Sequence, residues 1–158
     1  MRKRLIVLVS MLVIIAGAAV AVGADLVHSI AVRKSIANAS VSNNDNTDGS
    51  IIDGLGYRSV TYVIVTGTLA DADVTLTPSI IAGDNDALSD GAAVTGIDLV
   101  GTIAGATFAA TDDNAAKVIG YGGTKRYTRL RVTPANNTGA APFSAAAILG
   151  HPQYKPTP

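Results

Sequence analysis

Hydrophobic and polar positions divide the chain into two unlike parts. Residues Leu5 to Val22 form an almost unbroken apolar run behind Arg2, Lys3 and Arg4, and a polar body begins at Asp25. A basic start, an apolar stretch and the small residues Val22-Gly23-Ala24 are the three parts of a secretory signal, with cleavage expected after Ala24. The run also approaches the ~20 residues that a helix needs to cross a hydrocarbon core, and the basic triplet satisfies the positive-inside rule. Signal peptide, retained membrane anchor and a hydrophobic helix packed within an assembly all fit residues 1–24. Each reading makes that segment an N-terminal hydrophobic helix preceding one domain over residues 25–158.

Within the body the periodicity is that of strands. Ser59-Val60-Thr61-Tyr62-Val63-Ile64-Val65-Thr66 is dense in β-branched and aromatic residues, which predicts a strong strand over Tyr57 to Thr68, ended by Gly67. Its near-continuous apolarity predicts a central place in a sheet. Val74 to Ile81 alternates as the next strand, with Pro78 marking an edge or a bulge, and a hairpin is expected between the two. Upstream, Ile30 to Ile36 predicts a short edge strand blunted by Arg33 and Lys34. Ser40 to Gly49 and Gly83 to Gly91 have the composition of loops.

Further along, Ile97 to Thr102 predicts a short strand and the segment to Asn114 looks irregular. Lys117 to Tyr121, then Arg126 to Thr133, predict two strands around a Gly122-Gly123-Thr124 turn, and Phe143 to Leu149 a final one. Around Arg126 to Thr133, period two places Lys125, Tyr127, Arg129 and Arg131 on one face and Thr128, Leu130 and Val132 on the other, charges outward. About six to eight strands with turn signals between them predict an all-β single domain, a β-sandwich or jelly-roll-like fold.

Composition sharpens this picture. All twelve acidic residues are Asp, which favours turns, while Glu, which favours helices, is absent. There is no Trp, and only two Phe and five Tyr, so the core should be thin and aliphatic. Without Arg2, Lys3 and Arg4, nine basic residues face twelve acidic ones, a balance of −3 that leaves no general nucleic-acid footprint. The absence of Cys removes disulfides, thiolate nucleophiles and Cys-based metal sites.

Candidate chemistry is sparse. A catalytic base or zinc site would have to use His28 or His151, and no spacing supports a Ser-His-Asp arrangement. Asp84, Asn85, Asp86 and Asp90, and separately Asp112, Asp113 and Asn114, could offer oxygen ligands to calcium, but neither follows the EF-hand pattern, so they read as solvated turns. Gly120-Tyr121-Gly122-Gly123 reads as turn glycines rather than a phosphate loop. No enzyme activity and no cofactor are expected. Lys125, Arg126, Arg129 and Arg131 form the densest basic patch, with Tyr127 interleaved; a solvated outer sheet face is its default reading, and Lys125, Tyr127, Arg129 and Arg131 are the candidate partner-contact surface.

Several late motifs carry a family resemblance. They are Asp98-Leu99-Val100-Gly101-Thr102, Thr111-Asp112-Asp113-Asn114, Gly120 to Tyr127, Thr133 to Gly139 and Ala147-Ile148-Leu149-Gly150-His151-Pro152, with Asp53 to Tyr57 entering the first long strand. In order and spacing they resemble small structural proteins encoded among the head genes of tailed bacteriophages and prophages, over about Asp25 to His151. The resemblance implies a non-enzymatic virion protein that decorates or cements the capsid or lies near the head-to-tail junction. The implied partners are major capsid or other virion subunits, with homo-oligomers and no specific nucleic acid. The apolar N-terminus keeps a second reading open: an exported or membrane-anchored β-sandwich that binds a surface or a glycan, with membrane contact through residues 1–24.

Overall fold

The computed structural model describes residues 26–154. The hydrophobic helix expected over residues 1–24 lies outside the described residues. Among those described, no helix is long and apolar enough to cross a membrane. A short 3-10 turn at Val27–Ser29 leads into β1 (Ala31–Val41), followed by β2 (Thr47–Asp48), β3 (Ile52–Asp53) and β4 (Tyr57–Thr66). Then come β5 (Thr75–Gly83), β6 (Ala92–Ala93), β7 (Leu99–Val100), a one-turn helix α1 (Ile103–Ala106) and β8 (Phe108–Ala109). The chain closes with β9 (Ala116–Tyr121), β10 (Tyr127–Ala135) and β11 (Ala141–Pro152).

These strands form an all-β sandwich of two antiparallel sheets. The first runs β1-β11-β4-β9-β7; the second runs β2-β10-β5-β6, with β3 also paired to β10 and β8 to β5. The β-branched segment at β4 takes the central place its composition predicts, between β11 and β9. β1 is an edge strand, as Arg33 and Lys34 suggest, but it runs to Val41 because Ala39, Ser40 and Val41 continue the pairing with β11 beyond two register shifts. The stretch read as a loop yields β2, since Thr47 and Asp48 pair with Val132 and Arg131. Residues too few to show a period can still be held by their neighbours' ladder.

The hairpin expected between β4 and β5 does not form. β4 belongs to the first sheet and β5 to the second. The link between them crosses the end of the core, where Leu69 and Val74 are buried. It is fastened to the first sheet's end: the Gly67 amide donates to Pro142 O, the Ala70 amide to Ala140 O, and the Asn114 amide to Gly67 O. Pro78 sits in an interior strand, not at a sheet edge. It falls between the residues that pair with β8 (Thr75, Leu76) and those that pair with β6 (Ile81, Ala82), a gap in the ladder on that side.

Alternation builds the core. Val60, Tyr62 and Ile64 of β4 and Phe143, Ala145, Ala147 and Leu149 of β11 meet Leu76 and Ile80 of β5 and Leu130 and Val132 of β10. Both phenylalanines, Phe108 and Phe143, are buried here with Tyr62 and Tyr121, so the few aromatics mostly serve the interior. Each fully buried large side chain contributes about 1.5–3 kcal/mol. One polar contact bridges the two sheets: the Tyr62 hydroxyl and Thr128 Oγ1 lie 2.8 Å apart, both buried. Burial raises the Tyr62 phenol well above its usual range, so it stays neutral.

Candidate functional site

The basic strand face is where alternation places it. Thr128, Leu130 and Val132 of β10 are buried, while Tyr127, Arg129 and Arg131 point outward. Lys125 lies in the loop before β10 rather than in the strand. Each cation has an acidic partner within the chain. Arg131 grips Asp48 through Nε and Nη2 at 2.6 and 2.9 Å, and Arg129 Nη2 reaches the same carboxylate at 3.0 Å. Arg126 grips Asp53 at 2.8 and 2.6 Å and lies over the Tyr127 ring, and Lys125 pairs with Asp84.

The hydrogen bond from Arg131 holds the Asp48 carboxyl below its usual range, and that from Arg126 does the same for Asp53. Lys125 and Arg126 are raised in turn by their acidic partners. Four cations pair with three carboxylates, and Asp90 and Asp86 add to the field at Lys125 and Arg126. The patch staples the short strands β2 and β3 and the loop after β5 onto β10.

Acidic turns also serve the backbone. Asp90 accepts from the amides of Asp84 and Asn85 at 2.8 and 3.0 Å, closing the loop after β5. Asp112 accepts from the Ala109 amide and pairs with Lys117 at 2.8 Å, while Asp113 accepts from the Leu69 amide at 2.7 Å. Asp71 accepts from the amide and hydroxyl of Thr138. Among the described residues no three His, Cys, Asp or Glu side chains cluster as metal ligands.

The two histidines are far apart in sequence, but the 3-10 turn that holds His28 contacts β11, which carries His151. His151 Nδ1 lies 2.9 Å from Ser59 Oγ across the β4–β11 pair, a contact that spacing did not reveal. A nucleophilic pair needs a third group to orient the imidazole. No carboxylate bonds to His151 among the described residues. His28 sits in the 3-10 turn before β1, at the far end of the chain.

A different surface stands out on the other sheet. With Val60, Tyr62 and Ile64 facing the core, Thr61, Val63 and Val65 face outward. Register extends them into rows: Val32, Ile148, Thr61, Gly120 and Val100; then Lys34, Ala146, Val63 and Val118; then Ser144, Val65 and Ala116. Val32, Val65, Val100 and Val118 are 56%, 43%, 57% and 58% exposed. Lys34 is the one charged residue in these rows. The opposite outer face carries Thr75, Thr77 and Ser79 of β5 beside the Arg–Asp array. The signal for this surface was the near-continuous apolar run at Val60 to Val65, broken only by Thr61, since a strand with one wet face alternates and one apolar on both faces does not.

No family model matches the sequence, and no curated protein does either. Several solved structures align with the chain. PBSX exported protein XepA aligns with a TM-score of 0.51 at 17% identity, covering 79% of this chain and 38% of its own. A structure of infectious bursal disease virus, Gx strain, aligns at 0.44 and 15% identity, covering 80% of this chain and 33% of its own. The SPBc2 prophage-derived protein YomS aligns at 0.40 and 12% identity, covering 75% and 92%. The chain spans little more than a third of the XepA chain, and at this identity the likeness to XepA is one of fold.

Proposed function

We propose that this chain is a non-enzymatic structural protein of a tailed-phage particle, working by presenting sheet faces and loops to neighbouring subunits of the capsid or head-to-tail junction. Two lines support the reading. The late motifs from Asp98 to Pro152 resemble small head-region proteins of such phages. Taking β2 with β3, and β6 with β8, as interrupted single strands, and setting aside the two-residue β7 at the edge of the first sheet, the sheets read β1-β11-β4-β9 and β2/β3-β10-β5-β6/β8. That is the double Greek-key order of a jelly roll, an architecture found in viral capsid and lectin domains.

Fold alone does not select a function. The observation that carries the proposal is where the polar chemistry goes: Asp48, Asp53, Asp90, Asp112 and Asp113 each hold a strand or loop in place. A protein of this kind acts through repeated modest interfaces, which a closed shell multiplies.

Mass spectrometry of purified particles tests the idea, with the chain expected among the virion proteins. Its absence from particles sinks it. The basic, apolar sequence of Met1 to Ala24 favours a second reading, an exported or anchored binding module. A mature N-terminus at Asp25 in an exported fraction supports that reading; an intact Met1 in particles supports assembly.

A further inference from the structure

We infer that the outer face of the first sheet is a self-association surface, on which a second copy of this chain seats its own identical face. The inference goes beyond the proposed function and does not depend on it. Contiguous apolar surface of several hundred Å² on a folded protein marks something that covers it. Here the row through Val32, Ile148 and Val100 crosses all five strands, the row through Val63 and Val118 four, and the row through Val65 three. An average of four strands spaced by ~4.8 Å along a β4 face of about 20 Å gives roughly 400 Å² per copy. Two copies therefore bury about 800 Å², below a standard-sized interface, which predicts a weak pair that becomes persistent when repeated in an array.

Charge permits self-pairing. Lys34 lies on the β1 edge, and exposed Asp98 immediately precedes β7 at the opposite edge. A twofold axis lying in the interface and parallel to the strands sets the β1 edge of one copy over the β7 edge of the other while keeping each residue's height along the strands. Lys34, the one charge in the rows, then lies a sheet's width from its own copy, so no like charges meet, and Asp98 stands about four residues (~13 Å) along the strands from it.

Shape selects the occupant. The rows hold Val, Ala, Ser, Thr, Ile and Gly, with no aromatic ring, so they offer no stacking platform for a sugar. The same lack of aromatics, with a single cation, leaves a lipid surface without interfacial anchors. Association by strand addition is disfavoured as well: β1 carries two register shifts with Arg33 and Lys34, and β7 has only two residues. A flat face of small side chains is complementary to another flat sheet packed ~10 Å away, as in any sandwich core.

Sedimentation equilibrium of the full chain tests this, run in a nonionic detergent so that the apolar residues 5–22 do not decide the outcome. The wild-type protein is expected to dimerise reversibly. Val65→Lys on β4 and Val118→Lys on β9 each desolvate a charge in the interface and should weaken the dimer roughly 100-fold. Thr77→Lys, on the outer face of the second sheet, should leave it unchanged. Far-UV circular dichroism and urea unfolding check that each variant folds, and the two lysines sit on different strands so that either can decide. A wild-type protein that stays monomeric at about 100 μM overturns the inference. So does a dimer that survives both lysine substitutions. Absence of the chain from virions would sink the preceding proposal and leave this one standing.

Discussion

The hydroxyl contact between Tyr62 and Thr128 is a direct test of how the two sheets are held. Tyr62 is 0% exposed and Thr128 1%, their oxygens are 2.8 Å apart, and they come from different sheets. Tyr62→Phe keeps the ring and removes one partner, which strands the Thr128 hydroxyl in the core at a cost of about 1–3 kcal/mol. Thr128→Val does the reverse, stranding the phenol at a similar cost. The double variant removes both polar groups, so its loss should be well below the sum of the two, with a coupling of about 1–2 kcal/mol.

Urea unfolding reads this directly, because a loss of about 2 kcal/mol moves the midpoint by roughly 1 M for a domain of this size. A second signature lies in alkali. Burial raises the folded Tyr62 above the unfolded value of 10.0, so its contribution is fully present below pH 10 and is lost as the pH climbs above it. Tyr62→Phe should show a shallower alkaline decline. If the two single losses add to within about 0.3 kcal/mol, the bond carries no coupling and the account of the sheet bridge is wrong.

Two other variants probe the staples and a close approach at a glycine. Asp48 has a lowered folded pKa through Arg131, so its contribution is present above the unfolded value of 3.8 and is lost as the pH falls through the folded one. Asp48→Asn should cost about 1 kcal/mol at pH 7 and flatten the acid limb of stability, as followed by unfolding at pH 3 and 7. At Gly49 an added Cβ would lie 2.6 Å from Ser35 Oγ and 3.2 Å from Leu130 O. Gly49→Ala should therefore lose about 1–3 kcal/mol, and adding Ser35→Ala should recover part of it, because Ser35 Oγ is buried without a partner. Recovery of nothing in the double variant would place the strain against the Leu130 carbonyl instead.

How much was legible depended on whether the information was local. β4 and β10 could be read because Val60 to Val65 and Tyr127 to Thr133 carry their own periodicity. Their sheet membership could not, because β11 pairs with β1 and β4, whose residues lie far upstream, and nothing local at Phe143 reports that. The basic residues of β10 were visible, but their partner Asp48 sits in a two-residue strand too short for any pattern. That Asp48, Asp53 and Asp84 pair with these cations is likewise absent from any local pattern. The apolar outer face was written in the near-continuous apolar run of β4, which marked a central strand but not that one of its faces would be left uncovered.

The position of β11 has a consequence for how the chain is born. It is the last strand, ending at Pro152, yet it lies between β1 and β4. While the chain emerges from the ribosome, the first sheet lacks its second member, and β1 has no neighbour in that sheet until Ala141 to Pro152 have been made. Contacts this distant in sequence make folding slow, and unpaired edges invite neighbouring chains to fill the gap. A chain cut short before Ala141 would leave a slot of strand width between β1 and β4. A peptide spanning residues 141–152 is the natural occupant of that slot.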